Sequence, residues 1–518
     1  MPYARFRLKQ VDTLPCLAWC ACITRGESDV HIYHGNSVEC ALDARSFHEG
    51  AWSGSHGDGN FDEALTFTGS GGRVTEDGVV FASSTHTLEP VYLVRLQNTI
   101  LCSNSMHFIL SEASDWLDVN YPYYEADIMT IMFGLTRYKS SIPTRTGNTL
   151  RSYYRCNIVI SDDLVVTRHS KRSPPPFVTF QDYCAFLHSE VQQVAENAAA
   201  PQRRRRYKPL TTISSGYDSP AAAVVARAAG CTEAITLTRA HPGLADRNDS
   251  GSQIAMQLGL KVTEVDYFAG RNAVPEFPEA EFMATGHGGD DMPLAVAEAE
   301  LAGTLLCTGF HGDKVWDKND KQPSRSIVRG GISGCSLAEF RLRAGFLNLP
   351  VPFIGCIRHP EIHRISNAPD MAPWSIGGKY DRPVPRRIVE QAGVPRALFG
   401  QAKKGVATPY QSDTGRNPPM DRVLCKASYL DFIAFAQTFK RYSRRTYRMH
   451  YDIMHGLYIL NQRVVWSGKL KRALGRVGLS GPSRVWVPWR FAKPWSTNFL
   501  AFYWAATKMR QRYERSVR

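Results

Sequence analysis

Along residues 1–170, short β-branched and aromatic runs alternate with clusters of Gly, Ser, Asn and Asp. The run at 79–83 follows Glu76-Asp77-Gly78, another lies at 90–95, and the run at 157–160 precedes Ser161-Asp162-Asp163. Runs this short, bounded by turn formers, predict strands in an antiparallel sheet or sandwich. Ser173-Pro174-Pro175-Pro176 ends the pattern, and residues 179–199 take up a helical period that closes in an Ala-rich turn. Beyond 208 the period changes again. Strand-like runs at 209–213, 234–237, 261–265 and 303–308 alternate with helical ones at 220–229 and 249–258. Strands alternating with helices predict a parallel α/β sheet. The pattern divides the chain into a strand-rich unit (1–175), a helix and basic linker (176–208), an α/β unit (209–439) and a C-terminal region (440–518). That last region mixes helical stretches with Gly-, Pro- and Trp-rich connectors. No internal repeat is present.

The composition of the 518 residues, 43% hydrophobic and 21% charged, excludes global disorder, a collagen-like repeat and a multi-span membrane protein. The net charge of +14 points to an anionic partner, but its placement changes that picture. From Lys440 onward, eighteen Lys and Arg face two acids, Asp452 and Glu514, so this segment carries +16 and the body is near neutral. Trp466, Trp486, Trp489, Trp495 and Trp504 are interleaved with those arginines. Such a mixture suits a nucleic-acid strand, an anionic membrane surface, an acidic partner, or a helical extension packing its aromatics inward with Arg outward. The QRRRRYK run at 202–208 predicts a solvated linker.

Twelve scattered cysteines predict a reduced, cytoplasmic chain, peripheral at a membrane if the basic segment binds one. Cys16, Cys20 and Cys22 lack a second Cys or His pair at metal spacing and predict a buried first strand. The apolar stretch 14–23 follows Arg5, Arg7 and Lys9, but Pro15 and Asp12 argue against a signal peptide. No apolar run has the length of a membrane span.

The candidate chemistry lies in Thr211-Thr212-Ile213-Ser214-Ser215-Gly216-Tyr217-Asp218-Ser219-Pro220, where an apolar strand runs through small residues straight into a helix. Ser219 suits the N-cap, Pro220 the first helical position and Gly230 the end. Backbone N–H groups at such a helix start form an anion site, and Asp218 beside it calls for a cation, as a pyrophosphate with Mg²⁺ would supply. A tight turn without ligand is the rival reading. The Walker A pattern is absent.

The segment S-S-G-Y-D-S resembles the S-G-G-x-D-S loop of the PP-loop ATP pyrophosphatases, with Ser215 in place of the first glycine. Within that superfamily the resemblance is to the asparagine synthetase family, which includes β-lactam synthetases and lasso-peptide cyclases. Asp249-Ser250 with Ile254-Ala255 and Leu258-Gly259-Leu260 resembles the family's helix after the second strand. Thr308-Gly309-Phe310-His311-Gly312-Asp313-Lys314 resembles its S-G-x-G-x-D-E turn, and Lys403-Lys404-Gly405 its R-x-K-x-G segment. The resemblance implies an adenine nucleotide α-hydrolase-like (PP-loop) domain preceded by an inactive Ntn-hydrolase-like domain. It implies ATP and Mg, with Thr212, Ser214, Ser215, Gly216, Asp218, Ser219, Thr238, Gly309 and Asp313 around the nucleotide. The resemblance further implies that Asp218 and Asp313 would share the metal and that Lys403 would stabilise the adenylated intermediate.

Several positions depart from that pattern. Pro2 follows Met1, with no early processed cysteine, so a glutaminase is not expected. Phe310 stands where asparagine synthetases carry glutamate, Lys314 replaces the usual acid and Gln401 the arginine. His311 is the neighbouring candidate general base, or else a structural histidine in a tight turn. Gly286-His287-Gly288-Gly289-Asp290-Asp291 reads as a solvated loop or a substrate- or metal-facing one. Arg382, Arg386 and Arg387 would grip an anionic substrate or pair with acids across an interface. The expected activity is an ATP-dependent, AMP-forming amide ligase that passes a small-molecule or peptide carboxylate to an amine. A degenerate scaffold and a PP-loop RNA-modifying enzyme are the alternatives.

Overall fold

The computed structural model describes residues 3, 5–119, 121, 123–238, 249–273, 278–401, 420–442 and 497–517. The strand-rich unit is a stack of two sheets. One has seven strands in the order Arg5–Gln10, Asp29–His34, Trp19–Thr24, Thr99–Ser103, Val91–Arg95, Thr149–Tyr153, Ser141–Pro143. The other has six, in the order Val166–Ser170, Cys156–Ile160, Gly78–Ala82, Phe67–Thr75, Ser46–Trp52, Glu39–Cys40. All described pairings in them are antiparallel except Arg5–Gln10 against Asp29–His34. Alternation sends every second side chain between the sheets, so Val30 and Ile32 are fully buried while His31 is exposed. Trp19 stacks on Phe81 at 5.7 Å and meets Phe47 edge-on at 5.1 Å in that core. Cys20 is buried on strand Trp19–Thr24, and all twelve cysteines are free thiols.

Helix Phe180–Ala198 begins in a reciprocal capping box between Thr179 and Asp182 and buries Tyr183, Leu187, Val191 and Val194 along one face. The basic run that follows departs from the expected solvated linker. Burial alternates along it, so Arg204 and Arg206 face water while Arg203 and Tyr207 turn inward. The Arg203 side chain has no exposed surface and donates to Glu39 Oε1 at 2.6 Å, Gly50 O at 2.8 Å and Asn197 O at 2.6 Å.

The α/β unit carries five strands in the order Lys261–Val265, Glu233–Leu237, Lys208–Thr212, Thr304–Thr308, Leu347–Pro350, all parallel. By chain position this is 3-2-1-4-5. The order reverses between the first and fourth strands, and in open parallel sheets ligands bind in the crevice at that reversal, beyond the carboxyl ends. Helix Asp218–Ala228 follows the first strand. Its N-cap is Tyr217 rather than Ser219, which moves Pro220 two positions deeper into the first turn, from the first helical position to the third. The sequence signals place such a boundary only to within a residue or two. Gly230, at φ +88°, lies just past the end as expected.

One hydrophobic cluster runs from Leu14, Leu101 and Met106 of the strand-rich unit into Ile213, Ala222, Ala226 and Leu347 of the α/β unit. Across the same junction, Arg341 is held between Glu49 (Nη1–Oε2 2.6 Å) and Glu89 (Nη2–Oε2 2.8 Å), all three buried. Helix Thr497–Val517, within the region set apart as 440–518, packs on both units. Trp504 is fully buried with its indole N–H on Asp431 Oδ2 at 2.6 Å, and Tyr513 stacks on Phe108 at 4.9 Å and donates to Glu339. Arg510 turns inward onto the Trp116 ring at 3.8 Å, and Arg512 pairs with Glu281, so these charges are met inside the molecule. Trp466, Trp486, Trp489 and Trp495 lie outside the described residues. Among the described residues no helix is long and apolar enough to cross a membrane.

Arg341→Met leaves Glu49 and Glu89 facing each other without their cation. Equilibrium urea unfolding is expected to show a loss of about 3–5 kcal/mol, the cost of breaking a buried pair from one side.

Candidate functional site

A cavity of about 710 Å³ opens at the reversal point of the parallel sheet. Two turns form its floor. The first, Ile213 to Tyr217, leaves the first strand and is held from three sides. Ser215 donates to Asp249 Oδ1 at 2.5 Å, Ser214 and Ser219 share a hydroxyl bond at 2.8 Å, and Gly400 N donates to Ser215 O at 2.9 Å. Tyr217 is fully buried, with its ring under the Arg386 guanidinium at 5.0 Å and its hydroxyl accepting from Arg386. The second turn, Gly309 to Gly312, leaves the fourth strand.

The two turns touch through glycines. A Cβ on Gly309 would lie 2.5 Å from Asp218 C and Ser219 N, and one on Gly312 would lie 2.6 Å from Asp218 Cγ. Only residues without a side chain bring the fourth-strand turn onto the start of helix Asp218–Ala228. That contact puts Asp218 and Asp313 on one cavity wall.

Of the residues singled out by sequence, Thr212, Ser214, Gly216, Asp218, Ser219, Gly309, His311 and Asp313 all line this cavity. Ser215 sits behind it on Asp249. Thr238 turns aside, its N–H and hydroxyl both on Val265 O. Lys403, with Lys404 and Gly405, lies outside the described residues.

Asp218 is bound by Arg382 at 2.5 Å. Burial works against the charge of Arg382, but Asp218, and more remotely Asp313, outweigh it and push the guanidinium pKa up. Arg386 and Arg387 do not reach the cavity. Arg386 braces Tyr217 and Glu390, and Arg387 lies between the Phe180 and Trp374 rings at 4.1 and 4.3 Å, paired with Asp370. Lys314 pairs with Asp320 at 2.7 Å. Gln401 donates to Arg396 O at 2.7 Å.

His311 has a left-handed backbone at φ +78° and stacks on Phe353 at 4.4 Å. Burial, then Arg329, His359 and Lys314, drive its pKa well below the ordinary value. That direction favours the neutral ring and works against a role as proton acceptor.

The glycine-rich loop 286–291 is not solvated. His287 and Asp291 are buried, and Asp291 collects the Gly334 N–H at 2.8 Å and the Ser336 hydroxyl at 2.6 Å. It is a clasp for the segment at 329–336, which forms the facing wall. From that wall Arg329 reaches the cavity. Sequence reasoning passed over it, although the flanking glycines in Val328-Arg329-Gly330-Gly331-Ile332 were a signal. The roof was also unforeseen: Ala126, Met129, Met132 and Phe133 come from the strand-rich unit. Phe310 adds to the apolar side.

No family model matches the chain. No curated protein matches it either.

Two outcomes test this geometry. Gly309→Ala is expected to cost about 1–3 kcal/mol in urea unfolding, because the turn must move off the helix start. Gly216→Ala, whose Cβ would meet nothing closer than Ser214 Oγ at 3.5 Å, is expected to stay within about 0.5 kcal/mol of the parent. Glu125, next to the roof, is pushed up to about 8 by burial. The protonated form therefore favours the fold. Its contribution is complete below the unfolded value near 4.5 and is lost as pH rises through about 8. Thermal melts from about pH 5 to about pH 9 should show Glu125→Gln gaining steadily on the parent.

Proposed function

We propose that the chain is an ATP-dependent, AMP-forming amide ligase on a PP-loop fold of the asparagine synthetase type, with a strand-rich Ntn-hydrolase-like unit that hydrolyses no glutamine. The observation that carries this reading is the meeting of the first- and fourth-strand turns at the point where a 3-2-1-4-5 parallel sheet reverses. That crevice is where such sheets take ligands, and its volume accommodates a nucleotide.

The donor set fits Mg-ATP. N–H groups at the start of an eleven-residue helix, with the Ser214 and Ser219 hydroxyls, suit phosphate oxygens. Asp218 and Asp313 would hold Mg²⁺, which supplies charge neutralisation on the β,γ-phosphates. Arg382 keeps Asp218 compensated and lines the cavity, where its guanidinium would also meet phosphate charge. Arg329 supports developing negative charge from the opposite wall. A carboxylate oxygen of the second substrate attacks the α-phosphorus, and pyrophosphate leaves along the helix start. The amine then attacks the acyl carbon and AMP departs. His311 serves as a neutral, positioned ring rather than a strong base, and the resemblance assigns the intermediate's charge to Lys403. The apolar roof suits an acyl group with a sizeable hydrophobic part.

The Arg382–Asp218 pair also favours a second reading, a nucleotide-binding scaffold in which the guanidinium has displaced the metal. Calorimetry with Mg-ATP and carboxylate-dependent ATP–pyrophosphate exchange separate the two. The ligase reading expects micromolar Mg-ATP binding, weakened at least about a hundredfold by Asp313→Asn, and exchange with a carboxylate panel. Binding without exchange favours the scaffold. A folded chain that does not bind ATP removes both.

A further inference from the structure

Away from the cavity, the edge of the six-stranded sheet carries a group of side chains that the proposed ligase does not use. Glu39 and His48 are a directly opposed cross-strand pair between Glu39–Cys40 and Ser46–Trp52. The chain then turns back through Ser53 and Gly54, and His56 opens a short 3-10 turn, His56–Asp58, over the same spot. One donor atom of each residue lies within 4.8 Å of those of the other two. His56 Nε2 stands 3.4 Å from Glu39 Oε2. His48 Nδ1 and His56 Nε2 are buried with no hydrogen-bond partner among the described residues.

Among the described residues His48 Nδ1 has no partner and His56 Nε2 has only its 3.4 Å approach to Glu39 Oε2, a costly arrangement in a site closed by Trp52 and Phe61, whose rings lie 4.9 and 5.7 Å from His48. The other Glu39 oxygen, Oε1, is already taken by Arg203, which is itself satisfied by Gly50 O and Asn197. Arg203 thus fixes the carboxylate and leaves Oε2 facing the two rings, as outer partners of metal ligands commonly do.

We propose that Glu39, His48 and His56 form a binding site for a divalent transition ion of the zinc type. The three donors surround a point no more than about 2.8 Å from each, and small side-chain rotations bring that to the roughly 2.0–2.2 Å of Zn–N and Zn–O bonds. A His₂Glu set leaves a fourth position for water. It selects zinc-like ions over Mg²⁺ and Ca²⁺, which favour all-oxygen cages. His56, at 14% side-chain exposure, is the entry side. None of the three residues lines the nucleotide cavity, so the site stands independently of the ligase reading. Its work is to staple the 53–60 loop to the edge strand.

The test uses the full chain, stripped with chelator and titrated with Co²⁺ and then Zn²⁺. The expected result is about one equivalent bound, with the visible bands of a four-coordinate nitrogen–oxygen site and no thiolate-to-metal band in the near ultraviolet. Zinc is expected to raise the melting temperature by a few degrees. His56→Gln sits at the rim and tests the site without removing core packing, whereas His48→Gln is the more disruptive change. His56→Gln should weaken binding at least about a hundredfold and abolish the melting shift while the far-ultraviolet dichroism is unchanged. A folded parent chain that takes up no metal at micromolar concentration overturns the proposal. So does binding that carries a thiolate signature or persists unweakened in His56→Gln.

Discussion

The molecule depends on a single cation placed where two architectures meet. Arg341 rises from the α/β unit into the strand-rich unit and is gripped by Glu49 and Glu89 out of reach of water. Three charges in such a place are tolerable only if their geometry is fully determined. Glu49 also accepts from Ser70 and Asn104, which bind it to the centre of the sandwich. Burial pushes Glu89 up to about 7 against the pull of Arg341, easing the crowding of negative charge around one guanidinium. The pairing joins the sandwich to the α/β unit, and from the sandwich side Met129 and Met132 reach the cavity.

From this follows the character of the cavity. Its floor is polar and built of backbone, because glycines let one turn rest on the start of a helix. Its far wall carries Arg329, steadied by Asp291 and its hold on Gly334 and Ser336. Its roof is apolar and comes from another part of the chain. The strand-rich unit therefore shapes what enters the site.

Much of the fold was legible in the sequence because periodicity is a local property. Four of the five parallel strands after residue 208 and the helix Phe180–Ala198 follow from spacing alone, and the turn at Ser214–Ser219 from its run of small residues; the fifth strand, Leu347–Pro350, was not foreseen. What was not legible depends on distant partners. Arg203 reads as solvated until Glu39, more than 160 residues away, is brought beside it. The loop at 286–291 reads as solvated or as substrate- or metal-facing until Asp291 meets Gly334, which buries it while Asp290 and Asp291 still line the cavity. His311 reads as a candidate base or a structural histidine until Arg329 and the Phe353 ring close around it and favour the latter. Charge and glycine content say where a chain can bend or be wet; only tertiary neighbours decide whether it is.

Helix Thr497–Val517 has a consequence for how the chain comes to be folded. It fills space between residues 106–124 and 278–283, and Ser516 donates to Thr13 O across almost the whole chain. As the ribosome delivers the chain, the sandwich and the parallel sheet emerge with that groove still open and its apolar sides exposed. Closure must await this helix, and until it is made the apolar side chains it covers lack their partner, the condition under which chaperone capture or misassociation is favoured.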